Sequence, residues 1–371
     1  MAALRLILPI TLACACAVAA FNVGPRAIEA GQLLDAQDDP VLLADHQLAH
    51  EFNAELAARE IEAALALDDI DLAQSFLDLA RDRNVTVDPA LVAKVEDANS
   101  TMASTRRAAT RFGRGLIVGE ADSAVGLAGT AVADLFVIGD VRDAVREGSR
   151  LAKGEEADEL LLGLACVGLV VTAGTYASVG VGAPARVGVS IVKAASKAGR
   201  ITAQMAGWFT RSLREAVDWT RLGSTMRVAS LAEPAVAVRA AREAVKVEKT
   251  QALMRAIGDV GKVQGKAGTQ AALDALKIAQ GPRDLSRMAR LAEAKGTRTR
   301  AILKTLGRGA ILLTTSAFTL FSWLFTAVMA VLGFFAAVKR TTERATERYC
   351  ARRRVRRAAE RLRLAEAAAP A

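Results

Sequence analysis

The chain has 371 residues, 52% of them hydrophobic and 4% aromatic, with a mean hydropathy of +0.24 and a formal charge of +9. A soluble domain of this size normally averages below zero, and the dominance of Ala, Leu, Val and Gly argues against a sandwich, a barrel or a doubly wound sheet. Two histidines and four scattered cysteines leave little material for a catalytic set or a zinc site. The expected fold class is therefore all-α: a helical membrane protein with a small helical soluble N-terminal domain, a Gly-rich transmembrane hairpin and a C-terminal transmembrane helix.

The charge is divided unevenly. Residues 24–100 hold 17 Asp/Glu against 5 Lys/Arg, a net of −12, whereas residues 101–371 carry a net of +20. Such asymmetry predicts different environments for the two parts.

Residues 1–23 read as a signal peptide or anchor. Arg5 precedes an apolar run, and Ala17-Val18-Ala19 offers a small-x-small cleavage pattern. Residues 24–112 then form an acidic helical domain expected outside the cytoplasm. Apolar positions recur at helical spacing over residues 57–67, Asp68 to Asp71 supply turn and cap residues, and the pattern restarts over 72–79. Val87-Asp88-Pro89 predicts an N-cap followed by Pro at the first helical position.

Residues 115–183 make a Gly-rich membrane hairpin, of which 160–183 is uncharged for 24 residues and is expected to cross the bilayer. Gly174, Ser178 and Gly182 fall four apart, a helix-packing face through which a protein partner or a second copy could approach. Residues 184–308 are a basic amphipathic region. Around a helical wheel, Trp208 and Trp219 share an apolar face opposite Arg211 and Arg214, which suits either a bilayer interface or a protein core.

Residues 309–338 are uncharged for 30 residues and are expected to form a transmembrane helix. The Arg-rich tail, 339–371, holds eleven Lys/Arg and four Glu, and its position beside a span predicts a cytoplasmic C-terminus. Arg340, Arg344, Arg348, Arg352 and Arg356 repeat every four residues and are expected to meet anionic lipid headgroups; only Tyr349 interleaves them, which disfavours nucleic acid.

One pair could hold a metal. His46 and His50 lie one helical turn apart, with Asp45 and Glu51 beside them, but Gln47 stands where a metalloprotease helix carries its catalytic Glu. No cofactor is expected.

Apolar stretch, Gly139-Asp140-Val141-Arg142-Asp143-Ala144, charged linker, Gly-rich helix and Lys/Arg-rich helix resemble, over residues 123–200, the hydrophobic hairpin that precedes toxin modules in some bacterial polymorphic toxins. The whole chain also resembles uncharacterised Ala/Arg-rich bacterial inner-membrane proteins. These likenesses imply a multi-pass protein of the bacterial inner membrane, with the lipid bilayer as its first partner. The expected function is a non-enzymatic membrane scaffold or anchor. The alternatives are a pore-forming or translocation element built on the hairpin, and a periplasmic metal binder using His46 and His50.

Overall fold

The structure is a computed structural model that describes residues 4–35, 37–100, 130–177, 183–226, 234–312 and 317–367. Among these residues the protein is helical, with no strand. In chain order the helices are α1 (Leu4–Asp35), α2 (Pro40–Glu51), α3 (Ala54–Ala66), α4 (Ile70–Asp82), α5 (Pro89–Ala98), α6 (Thr130–Lys153), α7 (Glu159–Ala177) and α8 (Ala183–Lys197). They continue as α9 (Ala203–Ala216), α10 (Trp219–Met226), α11 (Pro234–Ala244), α12 (Gln251–Ala267), α13 (Thr269–Ile278), α14 (Pro282–Lys295), α15 (Thr299–Leu306) and α16 (Ala317–Ala367). The chain divides into two compact units: residues 39–312, and the N- and C-terminal helices α1 and α16.

The short acidic helices start where their capping chemistry places them. Asp39, Asn53, Asp69 and Asp88 each accept a hydrogen bond from the first turn, as from Val41 N at 2.9 Å and Leu56 N at 2.9 Å, and Pro40 and Pro89 occupy the first helical position, where no N–H is required. The expected α3–α4 hairpin and the start of α5 at Pro89 are both present.

The acidic segment is not a separate domain. Residues 24–35 belong to α1, residues 101–112 lie outside the described residues, and α2–α5 share one apolar core with α12–α15, through buried Phe76, Leu79, Leu276, Ile302 and Leu303 among others. Ser75 joins them by donating to Thr297 O at 2.7 Å and accepting from Ala301 N at 2.9 Å. The buried Arg300 grips both carboxylate oxygens of Asp69 at 2.5 and 2.6 Å, and donates from Nε to Asp274 at 2.9 Å. Burial opposes its charge, but these two carboxylates outweigh that and hold the guanidinium above its ordinary pKa.

The most consequential departure from expectation concerns 160–183. All ten residues from 160 to 169 are buried, and α7 packs against α6, α8, α9 and α11. Residues 160–169 of this uncharged run are therefore part of a core helix of the 39–312 unit, with protein and not lipid around that stretch. A helix apolar all round is required in either place, and burying a Leu is worth about 1.5 to 3 kcal/mol in both, so composition does not separate them.

Two further expectations change. The apolar face of α9 is used up inside the unit: Met205, Phe209 and Leu213 are fully buried and Trp208 packs at their edge. The helix also stops at Ala216, Val217 is extended and forms an antiparallel bridge with Val245, and Trp219 begins a separate helix, so the two Trp do not share one amphipathic surface. Third, the apolar run from 309 starts inside the unit, where Ala310 and Ile311 are buried; residues 313–316 lie outside the described residues, and the long helix is described from Ala317.

Candidate functional site

Among the described residues, the N- and C-terminal helices are the two that are long and apolar enough to cross a membrane. They pack on each other, and two contacts fix their direction: the Arg26 guanidinium lies over the Trp323 ring at 4.8 Å, and Cys16 lies against Gly333. Residue 26 is level with 323 and residue 16 with 333, so the helices are antiparallel.

Their seam is written in heptads. On α1, Ala13, Cys16, Ala20, Val23 and Ala27 alternate three and four apart and are buried or half-buried; on α16, Trp323, Ala327, Ala330, Phe334, Ala337 and Thr341 do the same. Alternating steps of three and four keep one stripe facing a partner helix, and small residues there let backbones approach closely. The opposite stripe of α16, Phe321, Phe325, Val328, Leu332 and Phe335, is large, apolar and 55 to 64% exposed. An aqueous protein rarely displays so continuous an apolar face.

The Arg residues of the tail lie on the same continuous helix: Arg340, Arg344, Arg352 and Arg356 are exposed and Arg348 is half-buried. A straight helix rises about 1.5 Å per residue, which sets Arg356 about 25 Å along the axis from Lys339.

The second chemical feature is a buried charge cluster between α6 and α8. Lys193 Nζ donates to Asp140 Oδ1 at 2.6 Å and pairs with Asp143 Oδ2 at 2.7 Å, and Lys197 pairs with Asp143 at 3.0 Å. Asp140, Asp143 and Lys193 are all buried. Burial raises the Asp140 carboxyl above its ordinary pKa despite Lys193, whereas at Asp143 the same burial is outweighed by Lys193 and Lys197, and its carboxyl is held low. Gly168 of α7 makes room for this cluster, because a Cβ there would lie 2.5 Å from Asp140 Oδ2. Burial, with help from Asp140, pushes the neighbouring Cys166 thiol up to about 12, which keeps it protonated and unreactive. One turn further along α6, burial of Glu147 is outweighed by the Asp158 N–H, Arg150 and Arg146, and its carboxyl is also low.

The remaining expected residues are placed as follows. His46 and His50 lie one turn apart on α2, their rings tilted and their centroids 5.0 Å apart, and Asp45 is engaged with Arg83 and Lys295. Arg214 pairs with Glu159 at 2.6 Å, and Arg211 is exposed on α9. Gly174 lies on α7, while Ser178 and Gly182 lie outside the described residues, as does 115–129 of the expected hairpin. The reading of single residues missed Asp140, Asp143, Lys193 and Lys197, although their spacing, three apart on one helix and four apart on the other, is the spacing that aligns complementary charges across a helix pair. It also missed the α1 heptads, which were masked by the resemblance of that stretch to a secretory signal.

No protein-family model, curated protein or solved structure matches this chain.

Proposed function

We propose that the protein is a non-enzymatic membrane scaffold, in which α1 and α16 cross the bilayer as an antiparallel hairpin and hold the 39–312 helical unit at the membrane. The observation that carries this reading is the pairing of a small-residue seam, which joins the two helices, with the exposed Phe-rich stripe on the far side of α16. Lipid is the environment in which that stripe is stable.

Lys339, Arg340 and Arg344 sit within about 9 Å of the end of the apolar run, close enough to meet anionic headgroups, and by the positive-inside rule they keep the tail in the cytoplasm. Since α1 and α16 are antiparallel, both chain ends are then cytoplasmic and the 39–312 unit is extracytoplasmic, on the bacterial inner membrane. Among the described residues one span follows the acidic region in this arrangement, and α1 is retained as a partner of α16 and not removed after Ala19. The acid and base groups of the buried cluster serve packing, because they are spent on one another.

Cysteine labelling tests the topology. In a chain with Cys14, Cys16 and Cys166 replaced by Ala, the exposed native Cys350 should react with a membrane-impermeant maleimide only after the inner membrane is opened. A new cysteine from Lys249→Cys, exposed in the 39–312 unit, should react without opening it. Labelling of both from one side, or extraction of the protein by alkaline carbonate, overturns the reading.

A further inference from the structure

The heptad stripe by which α16 meets α1 outlasts α1. With residue 26 level with 323 and 16 level with 333, Leu4 is level with Ala345, and from Thr346 to Ala367 the long helix runs about 33 Å beyond the described end of α1. The spacing does not change at that point. After Trp323, Ala327, Ala330, Phe334, Ala337 and Thr341 come Arg344, Arg348, Ala351, Val355 and Ala358, and in the sequence Leu362 and Ala365. Ala351, Val355 and Ala358 are exposed, Val355 by 68%.

We propose that this continuation is a docking face for an acidic amphipathic helix of a partner protein, one that takes over along the tail the position α1 holds along the span. Two observations select that occupant. The first is continuity with an existing helix interface at unchanged spacing, which sets apolar residues of the partner at steps of three and four. The second is charge. Arg352 and Arg354 flank the stripe, and the tail from Lys339 carries eleven Lys/Arg against four Glu. Arg352 and Arg356 are like charges four apart, an arrangement that destabilises a lone helix and that a row of carboxylates relieves.

The competing occupants fit less well. A second copy brings the same Arg excess to the interface. Headgroups at the level of Lys339 lie about 20 Å from Arg352, more than twice the screening length of about 8 Å at physiological salt. The proposal rests on the anchor reading only for the side of the membrane on which the partner lies.

The test uses the full-length protein in zwitterionic nanodiscs and fluorescent synthetic peptides of about three heptads, with Leu at the two core positions. One peptide carries Glu at the flanking positions, a second carries Lys there, and a third has the composition of the first in scrambled order. The Glu peptide should bind saturably and the other two should not; Val355→Asp should weaken it by about tenfold or more, and the pair Arg352→Glu with Arg354→Glu should transfer preference to the Lys peptide. Unchanged helicity by circular dichroism separates these effects from melting of the tail. Absence of saturable binding, equal binding of the scrambled peptide, or insensitivity to Val355→Asp overturns the proposal. So does self-association of the nanodisc-embedded protein that Val355→Asp abolishes, since a second copy then covers the face. Carbonate extraction and maleimide labelling report on the anchor independently of all these outcomes.

Discussion

Asp140 and Asp143 lie one turn apart beside the same lysine, yet their environments push them in opposite directions, and this fixes the sign of their contributions to stability. Asp143 and Glu147, held below their ordinary range by lysines, arginines and a backbone N–H, add stability that is present at neutral pH and is lost as pH falls through their folded-state values. Asp140 works the other way. Below about 3.8 the group is neutral in both states and costs nothing, and the cost accrues as pH rises from there through its raised folded-state value. Removing the Asp143 charge strands Lys193 and Lys197 against Asp140 alone, and breaking a buried pair typically costs about 3 kcal/mol or more. Asp143→Asn should therefore lower the urea midpoint of the protein strongly at pH 7, with the gap to wild type closing in acid as the wild-type carboxyl is protonated. Asp140→Asn should leave the pH 7 midpoint unchanged or raised, because Lys193 keeps Asp143. Equal losses from both substitutions would contradict this division.

At the scale of elements, helices and their caps were legible because local chemistry decides them: Asp88 before Pro89, or Asp69 ahead of α4, needs no tertiary information. What a helix packs against was not. Residues 160–169 are as apolar inside the 39–312 unit as a span is in lipid, and the Trp208 helix presents the same wheel to a core as to a bilayer interface. Conversely, a run that begins the chain after one Arg reads as a signal until its three-four spacing finds a partner about 300 residues away, a pairing that only the fold displays. Glycine behaves in the same context-dependent way. α8 and α12 cross with backbones in contact, since a Cβ on Gly261 would stand 1.8 Å from Pro184 O and one on Gly188 2.0 Å from Ile257 O, whereas Gly258, on the same α12, has open space. Gly261→Ala should destabilise the unit by about 1 to 3 kcal/mol through forced separation of the helices. Gly258→Ala should stabilise it by several tenths of a kcal/mol through helix propensity. Urea titration of the two variants checks the opposite signs.

For the molecule as a whole, the charge asymmetry was the clearest sequence feature, and only part of it separates two environments. Within the 39–312 unit the acidic and basic segments are partners: Asp45 pairs with Lys295 at 2.6 Å, Asp82 with Arg298, Asp78 accepts from Thr297, and Arg300 is buried between Asp69 and Asp274. The apolar side of that interface sets fully buried Phe76 and Leu79 in one core with Ile302 and Leu303, so α4 has no second surface to fall back on when α15 is absent. About sixty residues of short helices bury too little alone to offset their conformational entropy. A fragment of residues 39–100 should accordingly be soluble, owing to its negative charge, but weakly helical and without a cooperative thermal transition by circular dichroism. Adding a peptide of residues 269–312 in trans should restore helicity and a transition. That recovery should weaken at high salt, which screens the exposed pairs, and should fail when the peptide carries Arg300→Met, which removes the partner of Asp69. A sharp, concentration-independent transition in the 39–100 fragment alone would mean that the acidic helices fold autonomously, and that the ion pairs to α14 and α15 join two finished pieces and do not complete one.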